Sequence, residues 1–173
     1  MKRASLLLVL GLLFGANSFA QQEKYTTYYY QRATLFEKLP ITSTDIVFLG
    51  NSLTDGCEWT ELFGNPHIKN RGISGDEVMG IYDRIDPILK GKPAKIFLLT
   101  GVNDVSHDLT ADSILVMYRK LVNKIKSDSP KTKLYIQSIL PVNDEFTRFP
   151  KVHNKTQVIL DINKGLKQLA KEN

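Results

Sequence analysis

The stretch that decides the fold is Asp45-Ile46-Val47-Phe48-Leu49-Gly50-Asn51-Ser52-Leu53-Thr54-Asp55-Gly56. Four apolar residues, two of them β-branched, run without a polar break into a glycine. A run this short, bounded by turn residues, reads as a buried strand. Ser52 follows two residues past the strand end, inside a glycine-bounded turn. Such a serine stands at the rim of a sheet, where a nucleophile must be presented. The same position also suits a turn serine at a helix N-terminus.

The pattern repeats along the chain. Residues 67–71 form a weaker strand that ends at Gly72. Residues 95–100 are the clearest strand and end at Gly101. Residues 133–140 form another, ended by Pro141. Helical periodicity fills the gaps. Residues 25–38 read as a leading helix packed on the core. A short helix follows near 59–63. A helix capped by Asp76 carries Val78, Met79, Ile81, Tyr82, Ile85 and Leu89 on one side. Thr110 opens a helix that stops before Ser129-Pro130, and a last helix spans about 152–171. Nearly continuous apolar strands alternating with helices predict a parallel sheet covered on both faces.

Composition narrows the classes. The 173 residues hold 42% hydrophobic side chains and 24% charged ones, enough for one domain with a real core. One cysteine excludes a disulfide framework and a Cys-based zinc site. No His/Asp/Glu cluster has metal-ligand spacing, so neither a metal nor another cofactor is expected. The formal charge is +5, and setting aside Lys2 and Arg3 leaves +3, too dispersed for nucleic acid. Lys2 and Arg3 precede an apolar run at 6–14, and Ser18 and Ala20 stand at the −3 and −1 positions. Residues 1–20 therefore read as a secretory signal peptide cleaved after Ala20. The run is too short to span a bilayer. The expectation is an exported chain, periplasmic or secreted, with no stable membrane anchor. Residues 21–173 form its single domain.

In open α/β sheets ligands bind at the carboxyl ends of the strands, and four such ends carry unusual residues: Gly50-Asn51-Ser52-Leu53, Asn70-Arg71-Gly72-Ile73-Ser74-Gly75-Asp76, Gly101-Val102-Asn103-Asp104 and Pro141-Val142-Asn143. Each alone is also an ordinary turn. Together and in this order they resemble the SGNH hydrolases, the GDSL esterase and lipase family, from about Asp45 onward. Asn51 stands where that family more often has Asp. The resemblance implies a flavodoxin-like three-layer α/β/α sandwich and hydrolysis of carboxylic esters through an acyl-serine intermediate. Acetylated carbohydrates, acylglycerols and lysophospholipids are the substrate classes it implies, and the polar 143–154 segment leans toward carbohydrate. Ser52 would be the nucleophile. The N–H groups of Ser52 and Gly72, with the Asn103 amide, would form the oxyanion hole. Thr54 and Asp55 would brace the serine turn, and Asp104 would hold its own loop. Asn143 and Asp144 are candidate substrate contacts.

The same resemblance implies a C-terminal Asp-x-x-His block, which the 173 residues do not contain. The expectation is an N-terminal portion of a longer product, lacking the last strand and helix of the sandwich. Of the three histidines, His67 opens the second strand at the far edge, and His153 has Pro150 three residues upstream. His107 shares the Asp-x-x-His spacing with Asp104, but it sits beside Asn103 and reads as a decoy rather than the base. The competing reading is a degenerate module that binds an ester or sugar without turning it over.

Overall fold

The computed structural model describes residues 23–173; the signal-peptide reading of residues 1–20 lies outside them. Four parallel strands form one sheet in the order β2-β1-β3-β4: β1 is Ile46–Gly50, β2 Ile68–Gly72, β3 Lys95–Leu99 and β4 Lys133–Ile136. The register pairs Gly50 with both Gly72 and Leu99, so three site-bearing strands end level with one another. That alignment gathers their carboxyl-end loops along one edge.

The helices are α1 (Thr27–Lys38), α2 (Ser52–Asp55), α3 (Trp59–Leu62), α4 (Val78–Arg84), α5 (Asp86–Lys90), α6 (Val102–Ser106), α7 (Ala111–Asp128) and α8 (Thr156–Lys171). The α/β class, parallel sheet and helix order agree with the sequence reading. Three details differ. The single helix expected to carry Val78 through Leu89 breaks into α4 and α5 at Ile85, just before Pro87, which occupies the first turn of α5. Asp76 does not cap it. Glu77 is the N-cap residue, and the first helical N–H, that of Val78, donates to the Asp104 carboxylate. The fourth strand is only four residues long, and the chain leaves the sheet after Ile136.

The two faces of the sheet are covered unequally. Val47, Leu49, Ile96 and Leu98 are fully buried under α4, α5, α7 and α8, with Ile81, Ile85, Tyr118, Leu121, Ile125 and Ile162 in the same core. The helix periodicity places these side chains on one stripe. On the other face Trp59, Phe48, Phe97 and Tyr135 stack in a row, with centroid spacings of 4.2, 5.0 and 4.7 Å. Tyr135, at its outer end, is 44% exposed. Aromatic side chains on adjacent parallel strands thus take up a face expected to lie under a helical layer.

Candidate active site

Asn51 sets the serine turn. It is buried and accepts the Leu53 N–H on its side-chain oxygen at 3.1 Å, while its carbonyl accepts from Thr54 and Asp55. This caps α2 and makes Ser52 its first residue. Ser52 is exposed, and its N–H, at the first helical position, has no intrahelical partner. Asn supplies the side-chain acceptor the turn needs, and its Nδ2 is left buried without a hydrogen-bond partner among the described residues.

Asp55 braces this turn as expected, and ties it to the next loop. Its Oδ2 accepts the Ser74 N–H at 3.1 Å, the Ser74 hydroxyl at 2.8 Å and the Tyr28 hydroxyl at 2.8 Å. Arg32 of α1 lies 3.5 Å from its other oxygen. Thr54 is buried, and its carbonyl accepts from Trp59 Nε1 and Asn70 Nδ2.

The second loop corrects one expectation. The Gly72 N–H already donates to Asn70 Oδ1 at 2.8 Å, and a Cβ on Gly72 would stand 2.2 Å from the Asp55 backbone nitrogen. Gly72 is small because α2 crosses closely over the strand end, so its amide is spent on its own loop. Three residues on, Gly75 has a φ of +84° with open space where a Cβ would point. Its N–H finds no acceptor among the described residues. The Gly75 N–H is therefore free where that of Gly72 is not, and the Ser74–Asp55 bonds hold its loop against α2.

Asn103 is the second residue of α6, and its Nδ2 donates to the Asp76 carbonyl at 2.8 Å. The amide carries a second hydrogen that this bond does not use. Asn103 and Ser52 line the same cleft, of about 590 Å3. Asp104 holds more than its own loop. It is fully buried, and both oxygens take the Val78 N–H, fastening α6 to the start of α4. Burial pushes its carboxyl up to about 7, and the Val78 N–H pulls the other way. Burial likewise pushes Asp76 up to about 6, opposed by Arg84.

The far wall of the cleft is the segment after β4. Leu99, Ile139, Leu140, Val142, Phe146 and Phe149 supply apolar surface, with Arg148 and Lys151 beside them. Asn143 lines the cleft and also takes the Glu145 N–H on its side chain. Asp144 does not line it; its carboxylate accepts the Asn154 N–H at 2.9 Å.

No histidine lines the cleft. His67 faces Asp45 at 3.3 Å at the amino edge of the sheet. His153 bonds the Phe146 carbonyl at 2.9 Å. His107 pairs with Glu77, not with Asp104, and lies with Gly75 and Tyr25 in a separate hollow. Among the described residues no group of three His, Cys, Asp or Glu is placed to hold a metal ion.

An exposed serine on a helix start, a free left-handed amide and an asparagine amide thus stand at three adjacent strand ends of a parallel α/β sheet. The chain belongs to the GDSL-like Lipase/Acylhydrolase family, whose model matches residues 48–173. It is 28% identical over 103 residues to the platelet-activating factor acetylhydrolase IB subunit alpha1 of Rattus norvegicus, covering 56% of this chain and 44% of that one. The chain thus spans about half the length of the curated relatives it matches. A Streptococcus pneumonia structure described as a platelet activating factor superposes with a TM-score of 0.76 at 28% identity, over 84% of this chain and 71% of that one. A GDSL-like lipase from Bacteroides thetaiotaomicron gives 0.70 at 25% identity, over 84% and 74%.

Proposed function

We propose that the chain is the nucleophile-bearing part of an ester hydrolase acting through an acyl-Ser52 intermediate. The observation that carries this is the shared cleft of Ser52 and Asn103; Gly75 borders the neighbouring hollow, and the Ser74–Asp55 bonds hold its loop against Ser52's own helix. Ser52 Oγ attacks the ester carbonyl, and its proton passes to a base. The developing oxyanion is received by the N–H groups of Ser52 and Gly75 and by Asn103 Nδ2. The alcohol then leaves with a proton, and water releases the acid. Preorganised donors of this kind commonly supply about 10²–10³ in rate each.

The substrate reading is a small-molecule ester with a short acyl group, in keeping with the acetylhydrolase relative. Phe146 and Phe149 come from the segment whose polar composition favoured carbohydrate, yet they add to an apolar wall. That wall supports an alkyl or acyl group over a bare sugar. Export after cleavage at Ala20, to the periplasm or the medium, belongs to the same proposal. It predicts a mature N-terminus at Gln21. No helix among the described residues is long and apolar enough to cross a membrane.

The absence of a histidine from the cleft favours one second reading, a module that binds an ester without turning it over. Adding imidazole to the protein with a short activated acetyl ester separates the two. A site complete but for its base gives hydrolysis that rises with imidazole well beyond the same mixture containing Ser52→Ala. Identical rates for the two proteins would leave the binding module standing.

A further inference from the structure

We infer that Arg84 is a positioning residue for this site, acting through Asp76 and the strand-end carbonyls; this rests on the reading of Ser52, Gly75 and Asn103 as the reacting cleft. Arg84 is the last residue of α4 and is buried, with only 4% of its side chain exposed. Its Nε donates to Asp76 Oδ2 at 2.7 Å. Its Nη2 donates to the Gly50 carbonyl at 3.2 Å and to the Arg71 carbonyl at 3.0 Å. Gly50 is the last residue of β1, two before Ser52. Arg71 precedes Gly72 in β2, at the start of the loop that carries Gly75. Asp76 follows Gly75 directly, and its carbonyl is the acceptor that holds Asn103. One guanidinium therefore reaches all three loops that bear the proposed donors, two directly and the third through Asp76.

The chemistry requires arginine. A guanidinium offers donors in a rigid planar fork that can serve a carboxylate and two carbonyls at once. An ammonium is a single point on a flexible stem and cannot hold the three at these separations. Burial also matters, because a carboxylate and a cation taken out of water retain their attraction only if hydrogen bonds satisfy them. Asp76 meets this condition with Arg84 on Oδ2 and the Glu77 N–H on Oδ1. The Phe36 ring lies 5.8 Å from the Arg84 guanidinium and 4.9 Å from that of Arg71. α1 thereby closes the cluster from outside. Arg84 Nη1 has no hydrogen-bond partner among the described residues. Its position serves the loops.

The test compares Arg84→Lys and Asp76→Asn with Thr132→Val. Thr132 is buried at the opposite edge of the sheet, where it bonds Ser129 and the Pro93 carbonyl, so its loss reports on fold stability alone. The readout, with imidazole present to take the serine proton, is the second-order rate at which an alkyl fluorophosphonate forms the Ser52 Oγ–P bond with release of fluoride. It is read together with the thermal midpoint and the backbone amide resonances of Ser52 and Gly75. Misplacing reacting groups by an ångström costs about a hundredfold. The expected result is a loss of that order for Arg84→Lys and Asp76→Asn, with shifted Ser52 and Gly75 resonances. Thr132→Val, at a comparable midpoint, should keep its rate and resonances. Equal rates in all three folded variants, with both resonances unmoved, would overturn the proposal. If the unsubstituted protein is not phosphonylated at Ser52, the ester-hydrolase reading fails instead. The resonances then decide the positioning claim by themselves, shifts in both Arg84→Lys and Asp76→Asn supporting it and unmoved peaks ending it.

Discussion

The two walls of the cleft are built by different means. On the Ser52 side, the loops after β1, β2 and β3 are joined by polar contacts, all but the exposed Asp55–Ser74 bonds buried or half-buried. Asp55 holds Ser74, Arg84 holds Gly50, Arg71 and Asp76, Asn103 holds Asp76, and Asp104 holds Val78. On the far side, the segment after β4 is largely exposed and turns apolar side chains to the cleft, with Phe146 50% and Phe149 66% exposed. Its tether at Ile139 is a pair of hydrogen bonds with the Asn163 side chain of α8, at 2.8 and 2.9 Å. The polar side has geometry that charges cannot leave cheaply once buried. The apolar side has adaptable surface. A catalytic wall must hold donors within tenths of an ångström, whereas a wall that receives an acyl group needs only area.

If this division holds, substitutions on the two walls separate by kind as well as by size. The largest effect is expected for Ser52→Ala, which should remove all protein-dependent ester hydrolysis while leaving the thermal midpoint within a degree or two, because the side chain is exposed and makes no structural bond. Next is Asn103→Ala, with a loss of about 10²–10³ in kcat and little change in KM. It also frees the Asp76 carbonyl, so a modest fall in stability accompanies it.

The two glycines sharpen the comparison within one loop. Gly72→Ala should cost stability, since its Cβ would stand 2.2 Å from a backbone nitrogen. Gly75→Ala has open space and pays only for its left-handed backbone, about 1–2 kcal/mol. Its principal effect should fall on the rate, through a displaced amide. Thermal melts and acyl-transfer rates on both variants check this, and the reverse pattern would return the donor role to Gly72.

A smaller effect concerns pH. The Asp104 carboxyl sits at about 7 because it is buried, against about 3.9 in an unfolded chain. The folded state therefore binds an extra proton between these values. Stability from this group is complete below about pH 4 and is lost as pH rises through about 7. Asp104→Asn should flatten that decline, as melts at about pH 5 and about pH 8 would show. The smallest effects belong to the apolar wall. Phe146→Ala and Phe149→Ala should leave the midpoint nearly unchanged and raise KM a few-fold for longer acyl chains, with kcat preserved for acetyl.

Much of this was legible in the chain itself. The strand ends at Gly50, Gly72 and Gly101 are visible because each closes an apolar run, and Ser52 and Asn103 follow at fixed offsets. The choice of donor glycine was not visible. Asn70-Arg71-Gly72-Ile73-Ser74-Gly75 offers two glycines, and only the backbone shows that Gly72 is packed under α2 while Gly75 takes a positive φ. Arg84 was hidden for a different reason. At the end of an amphipathic helix an arginine reads as a solvated terminus, and its burial depends on strand ends far away in sequence. Asp76 resembled a helix cap because local spacing cannot distinguish a capping carboxylate from one committed to a distant guanidinium. The aromatic row of Phe48, Phe97 and Tyr135 sat in runs whose apolar character implied cover on both faces. Periodicity alone does not say whether that cover is a helix or neighbouring rings.

The central claim is that Ser52 is the nucleophile and that the Gly75 and Asn103 amides receive its oxyanion. Peptide mapping after exposure to an alkyl fluorophosphonate in the presence of imidazole tests it most directly. The predicted result is a single adduct, on Ser52, that forms at least tenfold more slowly in Asn103→Ala and does not form in Ser52→Ala. An adduct on another residue, or one on Ser52 that forms at an undiminished rate without Asn103, would contradict it.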